Sequence, residues 1–161
     1  MTIKTGDKLP SVTLTQATVD GPKPVSTDDL FKGKTVALFA VPGAFTPTCS
    51  ARHLPGYVDK AEAMKAQGVD MIACLSVNDA FVMKAWGESQ SVGDDITMLA
   101  DGSGDFTRAV GLTMDATKFG MGERSQRYSM IEDGVVKSLN VEEPGEFRVS
   151  SAEYLMDQLG A

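Results

Sequence analysis

Thr35-Val36-Ala37-Leu38-Phe39-Ala40-Val41 runs directly into Pro42-Gly43-Ala44-Phe45-Thr46-Pro47-Thr48-Cys49-Ser50. The first segment is an apolar run that reads as a buried strand. A long helical pattern follows the second. Thr46 carries the side chain of an N-cap, and Pro47 then falls at the first helical position, where its missing N–H costs little. Cys49 is thereby placed in the first helical turn. There, unpaired backbone N–H groups and the positive end of the helix dipole stabilise a thiolate. The thiolate, not the thiol, is the nucleophile. The junction therefore presents one activated cysteine.

Outward from the junction the pattern alternates. Residues 11–15 alternate as a strand, and 20–34 are rich in Gly, Pro and Asp and read as a loop with a turn of helix at 27–31. A helix is expected over 47–67 with a kink at Pro55-Gly56, and Gly68 stands where a C-cap glycine belongs. Residues 69–77 are the continuous apolar run of a strand buried on both faces. Helix follows at 79–89, a short strand at 96–100 and a short helix at 103–110. Residues 126–132 and 135–140 flank Asp133-Gly134, a hairpin signal. A last helix covers 150–159, with Ser150 or Ser151 as its cap. Strand, helix, strand, helix, hairpin, helix is the pattern of a thioredoxin-like α/β fold, a central mixed sheet with helices on both faces. The 161 residues are expected to form a single domain over 1–161.

Composition narrows the function. The net charge of −7 argues against nucleic acid or an anionic membrane surface as a partner, since both need basic patches. No apolar run approaches the ~20 residues of a membrane span. The N-terminal stretch has neither an apolar signal region nor an Arg-rich transit pattern, which gives a cytoplasmic expectation. Cys49 and Cys74 are the two cysteines and His53 is the single histidine. That set neither builds a secreted disulfide framework nor supplies a zinc site, so no metal is expected.

Pro42, Thr46 and Cys49 fit a Pro-x-x-x-Thr-x-x-Cys signature, and the chain resembles the peroxiredoxins. Val41 to Ser50, with Arg52-His53-Leu54-Pro55-Gly56 after it, is similar to the type II, or peroxiredoxin-five, group. The likeness continues through Ala73 to Trp86 and again at Arg127-Tyr128-Ser129-Met130. The resemblance implies that Cys49 attacks the O–O bond of hydrogen peroxide or an alkyl hydroperoxide and becomes a sulfenic acid, without metal, haem, flavin or other cofactor. It makes Arg127 the fixed positive charge at the site, Thr46 a hydroxyl partner of thiolate and peroxide, and Pro42 a shield that limits water. Arg124 is a weaker candidate. The resemblance also implies a homodimer.

Other residues carry two readings. Cys74 lies mid-strand, where burial makes a thiol inert; the alternative is a resolving cysteine that bonds Cys49, which needs Cα atoms within ~7 Å and an opened strand. Some relatives carry a resolving cysteine near the C-terminal helix, where this chain has Val149-Ser150-Ser151. That departure favours a one-cysteine mechanism in which an external thiol, glutathione with glutaredoxin or thioredoxin, attacks the sulfenic acid. His53, four residues after Cys49, is either the base of a cysteine-hydrolase dyad or a histidine packed at the edge of the site. Phe45, Trp86 and Phe119 are either an apolar rim for alkyl hydroperoxides or core, and Gly120-Met121-Gly122 reads as a mobile loop. The rival to a peroxidase is a peroxide-sensing relay that passes oxidation to a partner. A thioredoxin-type oxidoreductase lacks its Cys-x-x-Cys here.

Overall fold

The computed structural model describes residues 2–160, so Met1 and Ala161, the ends of the expected domain, lie outside it. Strand β3 (Val36–Ala40) is buried at every position and lies inside a seven-stranded sheet. It pairs in parallel with β4 (Met71–Ser76) and antiparallel with β8 (Tyr128–Glu132). Beyond β4 come β5 (Thr97–Ala100) in parallel, then β1 (Thr13–Thr18) and β2 (Gly21–Ser26), both antiparallel. Beyond β8 comes β9 (Val136–Val141), antiparallel. The order β2-β1-β5-β4-β3-β8-β9 is the mixed sheet of the thioredoxin-like class.

The sheet has a core on each face because strand side chains alternate. Ala37, Phe39, Val41, Ile72 and Cys74 point to one face. Helices α2 (Leu54–Ala66), α3 (Ala80–Ser89) and α5 (Ala152–Leu159) cover it with Tyr57, Met64, Met83, Trp86 and Leu155. Val36, Leu38, Ala40, Ala73 and Leu75 point to the other face. There α1 (Thr27–Phe31) and α4 (Asp105–Val110) bring Phe31, Phe106 and Val110. Both faces of the inner strands are filled, which is why their sequences read as continuous apolar runs.

Several elements depart from the sequence reading. Residues 21–26 are a strand, not a loop: Pro22 and Pro24 are tolerated because β2 is an edge strand with one side unpaired. The first strand covers 13–18, shifted from 11–15. Residues 113–115 and 123–125 form a small separate ribbon, β6 and β7, around a 3-10 turn at Thr117–Phe119, so the glycines 120 and 122 belong to a hydrogen-bonded turn. The helix irregularity sits upstream of Pro55-Gly56. Residues Cys49–His53 form a π turn, closed by Leu54 N–H to the Cys49 carbonyl. Pro55 explains it: a proline clashes with the carbonyl four residues before it, and the wider turn gives its ring room.

Candidate active site

The register of the central strands builds the site. Ala40 lies opposite Tyr128, so Arg127 stands beside the exit of β3, where the chain leaves for Pro42 to Cys49. Ser50 N–H bonds the Thr46 carbonyl at 2.9 Å, which makes Thr46 the residue that opens the helix and puts Cys49 in the first turn. The Thr46 side chain does not cap, however. Its hydroxyl donates to the Gly43 carbonyl at 2.7 Å and closes the Gly43–Thr46 turn instead. That turn is tight: a Cβ at Gly43 would lie 3.0 Å from Met121 Cε and 3.1 Å from Thr46 Cγ2. No side chain caps the start of the π turn.

Cys49 is a free thiol with no exposed surface. Arg127 Nη2 donates to its Sγ at 3.1 Å, and Arg127 Nη1 is 2.8 Å from His53 Nδ1. Burial, helped by the Arg127 charge, lowers the His53 pKa from 6.5 to about 3, against an opposing hydrogen bond to Ser150. The ring is therefore neutral. A guanidinium only donates, so Nδ1 accepts and the ring proton sits on Nε2. From there it donates to the Ser150 carbonyl at 3.0 Å. Both ring nitrogens are thus engaged away from Cys49, and a cysteine-hydrolase dyad does not exist here.

Arg124 is part of the construction. Its Nε donates to the Pro42 carbonyl at 2.7 Å and its Nη2 to Asn78 Oδ1 at 3.1 Å. Asn78 Oδ1 also accepts from Ala44 N–H at 3.0 Å and Ser76 Oγ at 2.6 Å. Asn78 follows β4, so the loop ahead of Cys49 is tied to two other strands. Asn78 was not singled out from the sequence, although as an amide just past a buried strand it had the chemistry to satisfy a neighbouring loop. The helix start is also anchored by Trp86, whose indole N–H donates to Ser50 Oγ at 2.9 Å. Trp86 is fully buried and belongs to the core, not to a rim. Phe45 and Phe119 are exposed, at 55% and 72%.

Pro42, Thr48, Met114, Phe119, Arg127 and Glu142 line part of a cavity of about 480 Å³ beside the cysteine. Phe119 and Pro42 give it an apolar wall. Cys74 is also fully buried and lies on the same face of the sheet as Cys49; burial, with Cys49 nearby, pushes its thiol well above the ordinary range. Among the described residues, no group of three or more His, Cys, Asp or Glu side chains is placed to hold a metal ion. No helix among them is long and apolar enough to cross a membrane.

Residues 4–156 match the Redoxin family. The chain is 53% identical to peroxiredoxin-2E-2, chloroplastic, of Oryza sativa subsp. japonica, over 98% of this chain and 73% of the rice protein. Among solved structures, reduced Prx3 of Vibrio vulnificus in complex with H2O2 superposes with a TM-score of 0.93 at 57% identity, covering 98% of this chain and 99% of that one. Peroxiredoxin 5 of Alvinella pompejana gives 0.84 at 35% identity, with 98% of each chain covered. The chain belongs to the peroxiredoxins, in the type II group. As a peroxiredoxin it is a thiol peroxidase with peroxide substrates and thiol reductants.

Proposed function

We propose that Cys49 is the nucleophile of a one-cysteine peroxidase cycle. The observation that carries this reading is the Arg127 guanidinium held 3.1 Å from a cysteine sulfur in a first helical turn. The Cys49 thiolate attacks the terminal oxygen of the hydroperoxide. An S–O bond forms, the O–O bond breaks, and the sulfur gives up two electrons. The departing hydroxide or alkoxide takes up, through solvent, the proton released when the Cys49 thiol ionised, and leaves as water or alcohol. Arg127 faces the negative charge that passes from sulfur to that oxygen, and a fixed cation in a dry site stabilises it far more than one in water. Thr46 Oγ1 has its proton on Gly43, which leaves its lone pairs free to accept from the hydroperoxide O–H. Pro42, on the cavity wall, donates nothing to water and keeps the approach apolar.

The sulfenic acid is then resolved by an external thiol, from glutathione with glutaredoxin or from thioredoxin. Cys74 supports this by its placement: it lies in β4 between β3 and β5, opposite Phe39 and Met98, and burial keeps it a thiol. A homodimer is part of the same proposal, supported by Phe45, which stays exposed four residues before Cys49 in a left-handed conformation with φ 63°; sedimentation of Phe45→Ser against the parent tests it.

Intact mass and free-thiol count after one equivalent of hydrogen peroxide, without reductant, decide the cycle. One added oxygen on Cys49 with Cys74 still free is expected. Loss of both thiols without added oxygen means a disulfide and ends the one-cysteine reading.

A further inference from the structure

Glu142, the residue just past β9, is buried, and its Oε2 gathers three donors: Arg148 N–H at 2.6 Å, Ser150 N–H at 2.8 Å and Ser150 Oγ at 2.6 Å. Burial alone would raise its pKa; these hydrogen bonds outweigh that and hold the carboxyl below its ordinary value. The Ser150 so fixed turns its carbonyl to accept from two buried side chains, His53 Nε2 at 3.0 Å and Tyr57 Oη at 2.9 Å. On the other side, Glu142 N–H donates to the Arg127 carbonyl at 3.0 Å. Glu142 therefore meets Arg127 twice, once through the backbone and once through Ser150 and His53. The ring closes on the guanidinium that faces Cys49.

We infer that Glu142 is a positioning residue for the peroxide step: by clamping Ser150 it fixes the His53 tautomer, and the tautomer aims Arg127 at Cys49. The reason is donor arithmetic. With the Ser150 carbonyl in place, the imidazole proton belongs on Nε2 and Nδ1 is an acceptor for Arg127. If that carbonyl moves, the proton is free to shift to Nδ1, where it would meet an N–H of Arg127 and push the guanidinium off its line. Phe147, within the segment that Glu142 pins, packs edge-on against His53 with centroids 5.0 Å apart and adds a second constraint on the ring. Nothing in the sequence points to Glu142: its partners Arg148 and Ser150 follow closely, but the His53 that closes the ring onto Arg127 is brought in only by the fold.

The inference rests on the peroxidase reading of Cys49, and its test separates the two. His53 is the single histidine, so its ring nitrogens give unambiguous NMR resonances. In folded Glu142→Ala those resonances are expected to leave the neutral Nε2–H pattern, and the second-order rate of the reduced protein with hydrogen peroxide to fall about tenfold. Glu142→Gln keeps the shape and one acceptor but loses the charge, so it is expected to lose about threefold, because hydrogen bonds to charged groups are the stronger ones. A merely structural role would lower the melting temperature and leave the imidazole pattern alone. Wild-type imidazole resonances in a folded Glu142→Ala overturn the inference, and so does a changed pattern with an unchanged rate. If Glu142→Ala does not fold, Glu142→Gln is judged by the same two readouts. A wild-type protein that consumes no peroxide would instead end the peroxidase reading, while the imidazole resonances still decide whether Glu142 sets the tautomer.

Discussion

Cys49 and Cys74 are both fully buried, both free, and both on the same face of the sheet. They differ in what surrounds the sulfur. Cys74 sits mid-strand, with the backbone on both sides paired to β3 and β5, so no peptide N–H is left over for a negative charge. Burial there simply disfavours the thiolate. Cys49 lies in the first turn of a helix, where N–H groups have no partner within the helix, and a guanidinium lies 3.1 Å away. If Cys49 is the nucleophile proposed above, equal burial goes with opposite chemistry at the two sulfurs. The deciding quantity is the set of donors that replaces water, not the loss of water.

The largest consequence is an all-or-none contrast. Cys49→Ser should abolish peroxide consumption, whereas Cys74→Ser should retain most of it. Equal losses would mean that the two sulfurs share the work and that the contrast is wrong. Removing the guanidinium comes next. Arg127→Ala should slow the peroxide step roughly a hundredfold or more, the range found when a preorganised donor is taken from a charged transition state. It should also slow alkylation of Cys49 by iodoacetamide at neutral pH. Alkylation at the wild-type rate would show that Arg127 does not act on this sulfur.

Much of this was legible in the chain. The buried strands β3 and β4 announce themselves because both their faces are covered, and apolar runs survive any detail of tertiary structure. Pro47 fixes the helix start, so Cys49 falls in the first turn whatever the Thr46 hydroxyl does. The Thr46 side chain itself was not readable: a cap and a bond to Gly43 use the same hydroxyl, and the close turn at Gly43 decides between them. The edge strand β2 was hidden because Pro22 and Pro24 mask a strand unless it is known to lie at an edge. Asn78, Glu142 and Ser150 were hidden for a different reason. Asn78 and Ser150 satisfy groups far along the chain, Glu142 matters only through Ser150 and Arg127, and local pattern carries no record of a partner that only folding brings near.

The smallest effect is a change in stability, and it also separates the two sites. His53, in the Arg127 network, is neutral when folded, with a pKa of about 3 against 6.5. Between those values the unfolded chain binds a proton that the folded chain refuses. Its contribution is therefore complete above pH 6.5 and is lost as pH falls toward 3, at about 1.4 kcal/mol per pH unit. Cys74 works in the other direction. Its folded pKa stands well above 9.0, so the unfolded chain loses a proton that the folded chain keeps, and stability is lost as pH rises past 9. Urea unfolding from pH 4.5 to 10 should show a plateau between about pH 6.5 and 9. His53→Gln should reduce the acid slope alone and Cys74→Ala the alkaline slope alone, the buried Tyr57 and Tyr128, whose pKa values burial also raises, keeping part of the alkaline loss near pH 10. The acid comparison is best made above pH 4.5, because Glu142, held below its ordinary value by its hydrogen bonds, begins to contribute beneath that. An acid limb that survives His53→Gln unchanged would show that the imidazole is not held neutral, and the Arg127–His53–Ser150 geometry would then have to be redrawn.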